Sequence, residues 1–408
     1  MINWKRKFLF LGVGQAASIL TSSIMQMALV WYLTQRTGSA AVITMSTLSG
    51  YLPRAILGMF TGAFIDRYDR RKIMVLSDSV IALAAVLLAG VALLTEIPIW
   101  LIFLILCIRS VGAAFHSPSL NAIIPSIVPK EELARYAGFL QGFESVSMIL
   151  SPALAAFLFS IWELSAIVLL DVLGAAVAVA IVLLLRLPKS NASHSTEKVH
   201  IWRDTKEGLA VLRREKGMIA ILVISSLYAF IYFPIGSLYP LITMTYFGGS
   251  VADSSVVEMV FAGGTLAGAL LLGWIGKKIH KVAAIAASIG IYGLGATFSG
   301  LLSPSSLPFF ILISGVMGIT IPFFYGLRTA IFQSRIPNEY LGRVLSLVYS
   351  VSLFATPVGL LMGGGFSELA GVQNCFLICG ILALCLALVM FFTPSIRNSC
   401  NDPQEPTA

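Results

Sequence analysis

The stretch Gly58–Lys72, GMFTGAFIDRYDRRK, decides how this chain is read. An apolar run with small residues at Gly58 and Gly62 ends in six charges between Asp66 and Lys72, and long apolar segments lie on both sides. It is therefore a short loop at a membrane face. Its skeleton is Gly62-x3-Asp66-Arg67-x2-Arg70-Arg71. A glycine lets a neighbouring helix approach closely, an aspartate can neutralise the positive N-terminal end of another helix, and arginines hold a loop on the cytoplasmic side. Topology anchoring alone would explain the charges but not the whole spacing. Asp78, about two turns into the next apolar segment, is expected to partner this basic loop.

Of the 408 residues 58% are apolar and 11% charged, with a mean hydropathy of +0.91. Soluble domains carry about 25% charged residues, so this is the composition of an integral membrane protein. The net charge of +8 is a topology signal and not a nucleic-acid footprint, because most Lys and Arg fall in short loops between apolar spans. Cys107, Cys375, Cys379 and Cys385 lie in apolar segments and Cys400 in the tail, without ligand spacing. Neither a disulfide nor a metal is expected from them. Lys5, Arg6 and Lys7 before an apolar run imitate a signal peptide. The run from Phe8 to Leu33 is nevertheless longer than an h-region of about 7–15 residues, and it reads as a first spanning helix.

A bilayer core of about 30 Å takes roughly 20 apolar residues of helix. That rule yields twelve spans, near 8–34, 40–65, 73–94, 98–122, 136–159, 164–187, 218–246, 252–275, 281–302, 307–332, 344–367 and 373–392. The expected fold is thus an all-α membrane protein of twelve transmembrane helices in two six-helix halves. With the N-terminus inside, the cytoplasmic segments hold 23 of the 27 Lys and Arg and the external loops only Arg36. Both termini are then cytoplasmic. Arg54, Arg109 and Arg328 fall within spans.

Residues 1–187 form the N-terminal half, 188–217 a cytoplasmic linker, 218–392 the C-terminal half and 393–408 a cytoplasmic tail. In the linker Ile201, Leu209 and Leu212 recur at helical spacing among Arg203, Lys206, Arg213 and Arg214. This reads as an amphipathic helix on the inner leaflet; a solvated charged linker is the alternative. An internal repeat marks the same division: Ala122–Arg135 and Ala330–Arg343 match at seven of fourteen positions, 208 residues apart.

The opening skeleton resembles the signature loop between the second and third helices of the major facilitator superfamily of secondary transporters. Two related six-helix halves around a cavity near the midplane are the arrangement that this resemblance implies. In the second half only Gly273-x3-Lys277-Lys278 remains of the motif, so the first loop, with Gly62, Asp66, Arg67, Arg70, Arg71 and Asp78, is the expected gate latch. Arg109, in Cys107-Ile-Arg109-Ser-Val-Gly112, resembles the arginine motif of the superfamily's fourth helix, with its glycine one residue closer than usual. A role in proton transfer is what the resemblance implies; a structural ion pair is the alternative. The fifth span reads Gly138-x8-Ser147-x3-Ser151-Pro152-x2-Ala155-Ala156 and resembles, in intact register, the Gly-x8-Gly-x3-Gly-Pro-x2-Gly-Gly pattern of proton-coupled drug antiporters. Each substituted glycine is still a small residue.

Ionisable residues inside a bilayer are functional candidates by default. Glu144 shares a helical face with Ser147 and Ser151, Asp171 with Gly174, Ala175 and Ala178, and Glu258 with Thr265. Glu144 and Asp171 are both candidate partners for Arg109, and burial against nearby charge would poise such an acid to carry protons. For substrate contact the first span offers Gln15, Ser18, Ser22 and Gln26 on one stripe, and the seventh offers Tyr228, Tyr232 and Tyr239. Such amide, hydroxyl and aromatic groups suit a bulky amphiphile, although either stripe could serve interhelical packing. His116, Asn121 and Arg328 are further cavity candidates.

Three segments, Phe115–Ala122, Trp162–Ala175 and Glu339–Val344, are similar to those of bacterial macrolide-efflux transporters. The implied activity is proton-driven export of macrolide antibiotics across the bacterial cytoplasmic membrane, the partners being a small-molecule drug, protons and the lipid bilayer. Another drug class or a siderophore would suit the same fold and coupling. No G-x4-G-K-[ST] loop occurs for an ATP-driven pump, and a separate ATP-binding-cassette partner is not inferable from the sequence. The four histidines, His116, His194, His200 and His280, lack ligand spacing, which leaves neither an enzyme nor a cofactor site in view.

Overall fold

In the computed structural model the described residues are 4–65, 68–129, 132–185, 201–215, 217–276 and 278–393. Among them are thirteen α-helices: α1 (Trp4–Thr37), α2 (Ala40–Ile65), α3 (Arg70–Leu94), α4 (Ile99–Ile123), α5 (Leu133–Ile161), α6 (Leu164–Leu184), α7 (Ile201–Arg214), α8 (Met218–Leu241), α9 (Val251–Ile275), α10 (Lys281–Leu301), α11 (Leu307–Arg335), α12 (Asn338–Ala370) and α13 (Val372–Phe392). Ten are long and apolar enough to cross a membrane by themselves. α2, whose one charge is Arg54, and α5 complete the twelve spans. No strand occurs among the described residues, as hydrocarbon demands of a chain that must satisfy its backbone within each segment.

The helix ends are written locally. Asp69 caps α3 by accepting from the Arg71 N–H, and Ser250 with Asp253 forms a capping box at α9. Several helices overrun the apolar spans read from the sequence: α1 begins at Trp4, α3 at Arg70 and α12 at Asn338. Hydropathy marks where the lipid ends, whereas the backbone ladder continues into the polar flank. α8 instead passes into a π turn, Ile242–Tyr246, just after Pro240.

Contacts divide the chain into two compact units, Met1–Gly38 with Met45–Lys198, and Ser39–Thr44 with Val199–Ala408. In the first, α1 packs on α5 and α6, and α3 on α4 and α6. A Cβ on Gly174 would strike the Thr21 side chain, so a glycine is what lets α6 lie against α1. In the second, α9 packs on α11, α10 on α11 and α13, and α12 on α8. Its tightest seam joins α9 to α11, where a Cβ on Gly264 would meet the Gly315 carbonyl oxygen and one on Gly318 the Phe261 carbonyl oxygen. Close backbone contact of this kind replaces the hydrophobic effect between helices in lipid.

The amphipathic segment forms α7, and its apolar face is docked on protein. Leu212 is fully buried, α7 packs on α12 and α8, and Glu207 pairs with Arg343 at 2.9 Å. Ser39–Thr44, which opens α2, is likewise held in this unit: Ser39 Oγ and the Ala41 N–H both donate to Glu368 Oε2, at 2.9 and 3.1 Å. A carboxylate there satisfies the free N–H groups and positive end of α2.

Candidate functional site

The first unit carries a buried ion pair and a buried aspartate–histidine contact. Arg109, on α4, donates through Nη1 to Asp171 Oδ2 on α6. The other carboxylate oxygen, Oδ1, accepts from Ser22 Oγ of α1 at 2.7 Å. Asp171 is 1% and Arg109 11% exposed at the side chain. Three helices thus converge on one carboxylate with both oxygens engaged, the condition under which a charge pair is tolerated away from water. Of the two acids open to Arg109, Asp171 is the partner. Glu144 lies on α5 with its side chain outside the described residues, as do Gly62 on α2 and Gly138 on α5.

The second contact corrects an expectation. Asp78 Oδ1 of α3 lies 3.3 Å from His116 Nε2 of α4, and no other partner of Asp78 occurs among the described residues. It reaches none of the described residues of the basic loop, for it stands eight residues beyond Arg70 on a helix that rises about 12 Å over that distance. His116 is accordingly a partner for a buried acid, and Ser22, proposed from its stripe as a substrate contact, is a ligand of Asp171.

Asp66 and Arg67 lie outside the described residues. The rest of the motif has a defined job: Arg70 Nη1 donates to the Ala122 carbonyl and Arg71 Nη2 to the Leu183 carbonyl, both at 2.8 Å. These are among the last carbonyls of α4 and α6, which no helical N–H satisfies and which carry the negative end of each dipole. Arginines there act as helix caps.

On α5 the antiporter-type face is mostly turned inward. Ser147, Ser151, Pro152 and Ala155 are buried, Ala156 half-buried, and Ser151 Oγ bonds back to the Ser147 carbonyl at 2.5 Å. Gln15, on α1, is buried and its Nε2 has no partner among the described residues; Gln26 is half-buried.

In the second unit, the tyrosines of α8 divide. Tyr228 and Tyr239 are buried in aromatic packing, Tyr228 against Tyr292 and Phe324 and Tyr239 against Phe261, Phe310 and Phe376. They serve the interhelical packing that was the alternative for this stripe. Tyr232 is half-buried and stacks on Tyr228. Arg328 is buried, its guanidinium 5.5 Å from the Phe324 ring centre and 5.0 Å from that of Tyr325, a cation–π arrangement. Glu258 of α9 is half-buried and makes no hydrogen bond or ion pair among the described residues.

Sequence reasoning missed a cavity of about 580 Å³ in the first unit, between α2 and α4. Its one charge among the described residues is Arg54. The signal available was a cation in mid-span to which no role had been assigned.

Two sets of apolar helices, one holding the Arg109–Asp171 pair where lipid would otherwise penalise charge, define a multi-pass membrane protein. The chain belongs to the Major Facilitator Superfamily, whose model matches residues 11–241 and 221–407. It is 45% identical over 396 residues to Macrolide efflux protein A of Streptococcus pyogenes, covering 97% of this chain and 98% of that one. A protein of the same name from Enterococcus faecalis is 46% identical over 323 residues, 79% of this chain and all of that one. Among solved structures, that of the nucleoside transporter NupG superposes with a TM-score of 0.75 at 14% identity, covering 95% of this chain and 99% of that one. That likeness concerns the fold alone.

Proposed function

We propose that this protein exports macrolide antibiotics across the bacterial cytoplasmic membrane in exchange for protons, with both termini in the cytoplasm. The near-full-length identity to Macrolide efflux protein A carries the cargo assignment. The Ser22–Asp171–Arg109 cluster supports the coupling. With Asp171 ionised, Arg109 and Ser22 are both bound to it; a proton arriving on Asp171 Oδ2 removes the acceptor of Arg109 and frees the guanidinium. The balance between the two states of the transporter then depends on protonation. Glu258, an acid without a partner among the described residues, is the second candidate carrier. One proton crossing about 150 mV releases roughly 3.5 kcal/mol, which sustains a drug gradient of about 300-fold when the cargo moves without net charge.

The test is expression in a pump-deficient bacterium with a panel of antibiotics. Macrolide resistance that collapses with an uncoupler is the expected result; pumping that persists in uncoupled cells supplied with ATP would overturn the coupling. Resistance only to another drug class would overturn the cargo. Asp66, the acid of the signature loop, is assigned to gating, so Asp66→Asn is expected to slow transport while drug binding is kept.

A further inference from the structure

The cavity between α2 and α4 is lined by three polar side chains, Arg54, Ser117 and Asn121, and by small apolar residues including Gly58, Ala114 and Pro118. No carboxylate lines it among the described residues. Arg54 is exposed to this space, and its guanidinium makes no hydrogen bond, ion pair or ring contact among the described residues. Only its backbone N–H is engaged, by Ser110 Oγ at 2.9 Å. Four other arginines of the same unit are engaged: Arg36 by Glu96, Arg70 and Arg71 by helix carbonyls, Arg109 by Asp171.

Position makes the difference matter. Arg54 stands eleven residues before the end of α2, about 16 Å along the helix and so close to the middle of a hydrocarbon layer of about 30 Å. A guanidinium at that depth is costly unless water or a ligand meets it. Its neighbours are also left with free groups. Ser117 and Asn121 share one face of α4 at a spacing of four, and neither side chain bonds to the backbone, whereas Ser119 beside them donates to the Phe115 carbonyl. The site therefore offers the five N–H donors of a guanidinium, a hydroxyl and an amide, with no negative charge among the described lining residues. Gly58 borders open space, for a Cβ there would meet nothing within 4 Å.

We infer that this cavity is a binding site for the carboxylate, or a comparable monoanionic group, of an amphipathic molecule, with Arg54 as the charged anchor and Ser117 and Asn121 as neutral donors. The inference goes beyond macrolide export, since it adds amphipathic anions to the ligands of this chain. It stands whether or not macrolides are the cargo.

The experiment measures binding of cholate, a steroid carboxylate, and of its uncharged methyl ester to the purified protein in nanodiscs of zwitterionic lipid. The acid is expected to bind roughly tenfold tighter or more than the ester, as a charge-assisted bidentate contact predicts. Arg54→Gln should remove that preference and Arg54→Lys keep part of it. Gly58→Leu, which fills the cavity without altering charge, should weaken both ligands together. Because Arg54 braces nothing, the Arg54→Gln protein should unfold at the wild-type temperature. Equal affinity for acid and ester in the wild type, or an acid preference that survives Arg54→Gln, would overturn the site. Replacing a third of the lipid by an anionic phospholipid separates the sources of the anion. Unchanged cholate affinity supports a cavity ligand, and complete displacement by lipid would assign the cation to headgroups and overturn the proposal.

Discussion

The two units solve the problem of stability in lipid by different chemistry. The first holds charge inside: Arg109, Asp171 and Ser22 join α4, α6 and α1, while Asp78 and His116 join α3 and α4. The second is fastened by bare backbone and rings, with Gly264 on Gly315, Gly318 on Phe261, and Tyr228 and Tyr239 amid phenylalanines. A charge pair can be switched by one proton, whereas a glycine seam or an aromatic cluster has one good arrangement. On this contrast the proposed switch at Asp171 draws on the chemistry of the first unit, while in the second Glu258 and the buried Arg328 stand apart from the glycine seam.

The largest effect that could break this contrast is expected at Arg109. Arg109→Ala leaves Asp171 as a buried carboxylate without its cation, a loss of about 3–5 kcal/mol, and should abolish export; drug efflux normalised to membrane abundance checks it. Arg109→Lys, keeping charge but not the planar fork, should retain part of the activity. Full efflux by Arg109→Ala at normal abundance would mean that the pair is idle. A comparable cost, of a different kind, is expected in the second unit. Tyr228→Ala opens a cavity worth about 3–5 kcal/mol and should lower the thermal midpoint sharply. Tyr228→Phe, by contrast, removes only a buried hydroxyl for which no hydrogen bond within 3.5 Å occurs among the described residues, and its melting curve should match or exceed wild type.

A smaller effect would sharpen the account of the seam. Gly264→Ala drives a methyl group into the Gly315 carbonyl and should cost about 1–3 kcal/mol through overpacking, seen as a lower unfolding temperature with binding kept. The least is expected at the surface, where Arg36 meets Glu96 at 2.9 Å and Glu96 is 86% exposed. Glu96→Ala should change stability by less than about 1 kcal/mol, and a large shift in its melting temperature would show that exposed pairs matter in this unit.

Hydropathy and the distribution of Lys and Arg made the spans legible, because lipid imposes a one-dimensional rule on the chain. Contacts between helices were legible only as faces. Spacing put Asp171 on a small face and Glu144 on another, yet which side of α6 is turned toward Arg109 depends on packing such as that of Gly174 on Thr21 of α1, and no residue spacing encodes it. Asp78 was misread because nearness in sequence to a basic loop was taken for nearness in space, while its depth matches that of His116, seven residues before the end of α4. The tyrosine stripe of α8 was legible as a face, but whether it faced a cavity or Phe324 and Phe310 depended on α11.

The arginine caps of the signature loop also bear on how the chain is made. Arg70 is synthesised 52 residues before the carbonyl it binds at Ala122, and Arg71 112 residues before Leu183. At about 5–20 residues per second the ribosome reaches those carbonyls roughly 3–10 s and 6–22 s later. The two cations are thus laid down first and wait for α4 and then α6 to be threaded into the bilayer. Each arrival hands a helix end to a donor already in place, and a nascent chain halted before α6 would still lack the carbonyl that Arg71 finally takes.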